Sequence, residues 1–90
     1  MQFEWDKEKA ETNLKKHGVG FEEASTVLGD LFAKIFFDDI HSEDEIREII
    51  VGHSVIGRLL FVCFTEVSSG RIRIITAPSA NSARTRRLEE

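Results

Sequence analysis

The chain has 90 residues, a formal net charge of −4, and 41% hydrophobic and 31% charged residues. That balance describes one globular domain, residues 1–90, and excludes a disordered chain. No apolar run nears the roughly eighteen residues of a membrane span. The opening Met-Gln-Phe-Glu-Trp-Asp has neither the basic start nor the apolar stretch of a signal peptide, so a cytoplasmic protein without membrane contact is expected.

The charge is unevenly placed. Residues 1–50 carry six Lys/Arg against thirteen Asp/Glu, giving −7; residues 51–90 carry six Arg, no Lys and three Glu, giving +3. Arginine is suited to bidentate contact with phosphate or carboxylate. An acidic half beside an arginine-only half suggests an anionic ligand or an acidic partner, unless the charges pair within the chain.

In chain order, Trp5 reads as a core anchor and Asp6 as the N-cap of a first helix that ends at Gly18. Within it Glu11 and Lys15 form a favourable i,i+4 pair, and Lys15 and Lys16 stand in the last turn. A second helix spans Phe21 to Leu28, with Phe21, Ala24, Val27 and Leu28 on one stripe. Leu31 to Phe37 is rich in β-formers, and 38–42 reads as a loop. Ile46 to Gly52 is a second strand, and Val55-Ile56-Gly57 turns the chain into a third, Arg58 to Val67. Leu59 to Phe64 is apolar without alternation, which places this strand in the middle of the sheet with both faces covered. Ser68-Ser69-Gly70 closes a hairpin into Arg71 to Thr76. Pro78 stops that strand, and Ser79 to Glu90 form a last helix carrying Arg84, Arg86 and Arg87. The expected fold is α+β: two N-terminal helices, a four-stranded antiparallel sheet and a C-terminal helix. Hairpin geometry sets Arg73 opposite Thr65 and His53 opposite Arg58, and brings Arg58 near the start of the last helix.

Cys63 is the single cysteine, so no internal disulfide forms, and it reads as a buried small hydrophobe. His17, on the Ala10–Leu14–His17 stripe, is either a half-buried residue stabilised at the helix end or a proton-transfer group. His17, His41 and His53 lack the spacing of zinc ligands, so neither a metal nor a cofactor is expected.

The motifs form a recognisable series. Phe3-Glu4-Trp5-Asp6, Lys9-Ala10, Asn13, Lys16-His17-Gly18-Val19 and Phe21-Glu22-Glu23-Ala24 resemble the opening of the BrnT toxin family. His41-Ser42 with Glu45 and Arg47, Gly57-Arg58, Phe64-Thr65-Glu66 and Ile72-Arg73-Ile74-Ile75 continue the match. The resemblance implies a RelE/ParE-like toxin of a type II toxin–antitoxin pair that cleaves RNA without a metal. It implies a BrnA-like antitoxin as partner, with operator DNA reached only through that antitoxin. For such chemistry Arg58 and Arg73 are the candidates to hold the phosphate, unless Arg73 simply pairs with Glu66. Lys16 is a further cation and His17 a proton-transfer group, while Arg84, Arg86 and Arg87 would serve RNA or antitoxin binding.

The chain departs from the family pattern at four places. Pro78 stands where an Arg is usual, Arg84-Thr85 replaces Glu-Arg, Leu88 replaces Tyr, and Val67 replaces an Arg. Two readings follow: an endoribonuclease neutralised by its antitoxin, or a catalytically impaired relative that binds the antitoxin and acts in autoregulation.

Overall fold

The structure, a computed structural model, describes residues 1–80. Its elements are β1 (Gln2–Glu4), α1 (Lys7–His17), α2 (Phe21–Thr26), β2 (Lys34–Phe37), β3 (Glu48–His53), β4 (Leu59–Ser68) and β5 (Arg71–Thr76). The sheet has five strands in the order β1-β5-β4-β3-β2, antiparallel except for the parallel β1–β5 pair. The expected four-stranded antiparallel sheet is therefore corrected to a five-stranded mixed one. Three residues at a chain end are too few to show alternation, and β1 exists because β5 offers it a free edge. Beyond Ala80 the expected C-terminal helix, with Arg84, Arg86, Arg87 and Leu88, lies outside the described residues. Ser79 within it pairs as a bridge with Leu60.

α1 forms where its caps place it. The Asp6 carboxylate accepts the Lys9 N–H at 3.0 Å, and Gly18, at φ 68°, donates its N–H to the Leu14 carbonyl. Only a residue without Cβ takes that left-handed turn at no cost. α2 is shorter than expected: the stripe continues into a 3-10 turn, Val27–Gly29. β2 starts at Lys34 because Asp30 holds the preceding turn, accepting the Phe32 N–H at 3.0 Å, with the Ala33 N–H on the Asp30 carbonyl.

Leu60, Val62 and Phe64 of β4 pack with Ile50, Ile72 and Ile74 against Val19, Phe21, Ala24 and Val27. Trp5 borders this core edge-on to Phe21, with ring centroids 5.9 Å apart. β4 is central, as its apolar run implies, but among the described residues it is fully covered on one face only. Leu59 is exposed, and Phe61 and Cys63 are half-buried. Cys63 is thus not a core residue; partial burial nonetheless pushes its thiol up to about 11, with nearby Asp38 acting in the same direction, which favours the protonated thiol at neutral pH.

The β4–β5 hairpin pairs Thr65 with Arg73, as expected. The β3–β4 pairing is shifted by one: His53 faces Leu59, and Arg58 belongs to the turn. The turn runs Ser54 to Gly57, with the Gly57 N–H on the Ser54 carbonyl and the Ser54 N–H on the Arg58 carbonyl. Gly52 of β3 lies beneath the 30–33 turn. A Cβ there would sit 2.7 Å from Ala33 Cβ and 2.8 Å from Asp30 Oδ2. Gly52→Ala is expected to cost about 1–3 kcal/mol through overpacking, read as a lower urea midpoint.

Candidate functional site

A cleft of about 400 Å³ lies between α1 and the end of β5. Lys9, Thr12, Asn13 and Lys16 line it from one stripe of α1, at the i, i+3, i+4, i+7 spacing of a single helical face. His17 closes the helical side, and Ile75, Thr76 and Pro78 form the opposite wall. Asp6 and Glu8 stand at the N-terminal end, so the cleft is acidic at one end and cationic at the other. Among the described residues neither Lys9 nor Lys16 forms an ion pair.

The wall is fixed by Asn13, the buried residue of α1; Leu14, expected on the buried stripe, is 56% exposed. Asn13 Nδ2 donates to the carbonyls of Val19 (2.9 Å) and Ala77 (3.0 Å), and its Oδ1 accepts the Ala77 N–H at 2.9 Å. One side chain thus satisfies three buried main-chain groups and ties α1 to Ala77. Pro78, next along, gives its carbonyl to the Phe61 N–H at 3.0 Å.

Arg58 lies past the C-terminal end of α1. Its guanidinium donates to Gly18 O at 2.9 Å, and its Nε donates to Glu23 Oε2, also at 2.9 Å, while Nη2 reaches Glu23 Oε1. Ser54 Oγ donates to the same carboxylate at 2.7 Å. Arg58 also borders a smaller depression with Leu59, Ser79 and Ala80, none of which lines the α1 cleft. The structure therefore brings Lys16, His17 and Arg58 to the same end of α1.

Arg73 stands apart from them. On the open face of β5 it holds Glu4 of β1, with Nε and Nη2 at 2.9 and 2.8 Å from Oε2. Its ion-pair partner is thus Glu4, not Glu66; the parallel β1–β5 pairing, unseen in sequence, sets Glu4 directly beside it. Arg73 lines neither the α1 cleft nor the depression beside Arg58. Arg84, Arg86 and Arg87 lie outside the described residues. No three of the described His, Cys, Asp and Glu residues converge as metal ligands do. Lys9, Thr12 and Thr76 line the cleft without being expected as site residues from sequence, although the seven-residue step from Lys9 to Lys16 places both on one helix face.

The Arg58 hydrogen bond holds the Glu23 carboxyl below the usual carboxylate range, against an opposing desolvation effect. A carboxyl depressed on folding contributes stability above its unfolded pKa, and that contribution fades as pH falls through its folded value. Glu23→Gln should therefore lower the urea midpoint near neutrality, with the gap to the parent chain narrowing as pH drops below the carboxylate range.

The arrangement is that of a small α+β protein with a charged cleft between its first helix and the end of β5. It is similar to the crystal structure of the Brucella abortus ribonuclease toxin, BrnT, with a TM-score of 0.70 and 29% sequence identity. The alignment covers 89% of this chain and 96% of that one. No curated protein matches the sequence. The family model described as ribonuclease toxin, BrnT, of type II toxin-antitoxin system matches residues 5–83. The chain belongs to the BrnT family of ribonuclease toxins.

Proposed function

We propose that the chain is a metal-independent endoribonuclease that works in the cytoplasm and is neutralised by a BrnA-like antitoxin. The observation that carries this reading is the α1 cleft, where Lys9 and Lys16, without an ion pair among the described residues, flank a polar surface ending at His17. The RNA 2′-hydroxyl attacks the adjacent phosphorus, forming the P–O2′ bond as the P–O5′ bond breaks. His17 takes the 2′ proton or delivers one to the departing 5′-oxygen, water makes the other transfer, and the product ends are a 2′,3′-cyclic phosphate and a 5′-hydroxyl. Lys16 and Lys9 hold the phosphate and stabilise the charge that builds on its oxygens. Arg58, close by across Gly18, and Arg73, further along β5, bind flanking phosphates. Arg84, Arg86 and Arg87 add to RNA or antitoxin binding, and operator DNA is reached through the antitoxin alone.

Purified chain incubated with single-stranded RNA should yield fragments that persist in excess EDTA. DNA of the same sequence should stay whole, because it lacks the attacking hydroxyl. RNA left intact with or without divalent cations would overturn the nuclease reading, and cleavage abolished by EDTA would overturn the metal-independent mechanism.

A further inference from the structure

The geometry points to the β2 edge as the docking site for an extended, basic segment of a protein partner, which adds to the sheet as a sixth strand. β2 ends the strand order, so one side of its backbone faces no other described strand. The Asp38 N–H donates to the Arg47 carbonyl across the β2–β3 pair. Alternation along that pair turns Lys34 and Phe36 toward β3, and turns the N–H and C=O groups of Ile35 and Phe37 outward. Open edges of this kind are templates for strand addition, and proteins usually guard them with charge, proline or a bulge.

This edge instead carries exposed apolar side chains. Leu31 is 94% exposed, Phe32 90% and Phe37 62%, and Ile35, Phe36 and Ile40 are also exposed. Both faces of β2 are involved, since Ile35 and Phe37 share one face with Ile50 while Phe36 shares the other with Ile49. An added strand would cover both. Charge selects the occupant. Residues 30–48 hold seven Asp/Glu, of which Asp38 is buried, against Lys34 and Arg47, a net −5 in sequence, so a second copy would bring like charge together. A basic strand is complementary to the same surface, and that complementarity favours encounter and register. Identifying the partner as the antitoxin rests on the proposed function; the docking edge itself does not.

The test uses the full chain and a short synthetic peptide alternating isoleucine with lysine, followed by amide exchange and titration. Slowed exchange at the Ile35 and Phe37 amides, with affinity falling as salt rises, is expected. Phe37→Pro should weaken binding about tenfold or more, because proline removes an outward donor that β3 does not use. Its unchanged RNA cleavage would keep this inference separate from the nuclease reading. Should Phe37→Pro fail to fold, Ile35→Lys, which adds like charge at the same edge, should weaken the peptide similarly. No protection at Ile35 and Phe37, or equal binding of a peptide alternating isoleucine with glutamate, would overturn the proposal. So would protection of those amides in the free chain, whether the chain is monomeric or self-associates in sedimentation.

Discussion

Asn13→Ala is expected to destabilise the fold by about 3–5 kcal/mol, a loss comparable with the entire stability of many domains this size. The substitution strips partners from the Ala77 N–H, the Ala77 carbonyl and the Val19 carbonyl at once. Asn13 is 4% exposed, so bulk water does not readily replace them. Each buried group left alone costs about 1–3 kcal/mol, and the local collapse that would admit water explains a total below the simple sum. Asn13→Asp separates this cause from mere loss of packing. A carboxylate still accepts the Ala77 N–H but faces two carbonyl oxygens with no donor, and protonation restores one. Burial and those oxygens raise its folded pKa above the unfolded one, so the variant should be least stable near neutrality and recover as pH falls. Urea midpoints across pH check both. A flat profile for Asn13→Asp would show that the three-way bond contributes little.

The contrast between Asn13 and its neighbours shows which parts of this fold were legible in the sequence. The ends of α1 were, because Asp6 and Gly18 act on backbone within a few residues. The Thr65–Arg73 pairing was, because a tight hairpin leaves little freedom of register. The longer Ser54–Gly57 turn allowed a slip of one, enough to move Arg58 off the strand and into the clamp on Glu23. Asn13 stood in the sequence only as one residue of the family resemblance, with no structural role, since its partner Ala77 lies 64 residues away. Glu23 and Glu4 answer Arg58 and Arg73 across 35 and 69 residues, and no local pattern carries such pairs. Lys16 and His17 were legible as types but not as a site, because the opposite wall of the cleft comes from Thr76 and Pro78.

That cleft makes the second large prediction. Under the proposed mechanism, His17→Asn should lower kcat for RNA cleavage by about 10²–10⁴-fold while KM changes little, since a proton-transfer group acts in the transition state. The pH–rate profile should lose one limb with it. Lys16→Ala should act differently: KM rises, and the salt dependence of RNA binding becomes shallower by about 0.7 in logarithmic slope, the value for one fewer phosphate contact on a single strand. Arg73→Ala provides the comparison. Its pair with Glu4 is half-exposed, so the substitution should cost at most about 1 kcal/mol in stability. A fall in cleavage there would therefore report on the phosphate rather than on the fold. Arg58→Ala cannot be read so simply, because it also removes the clamp between Glu23, Gly18 and the β3–β4 turn. Retained kcat in His17→Asn, with thermal unfolding unchanged, would assign the proton transfer to another group in the cleft. Loss of activity in Lys16→Ala through kcat alone would mean that the cation acts on the transition state rather than in holding the strand.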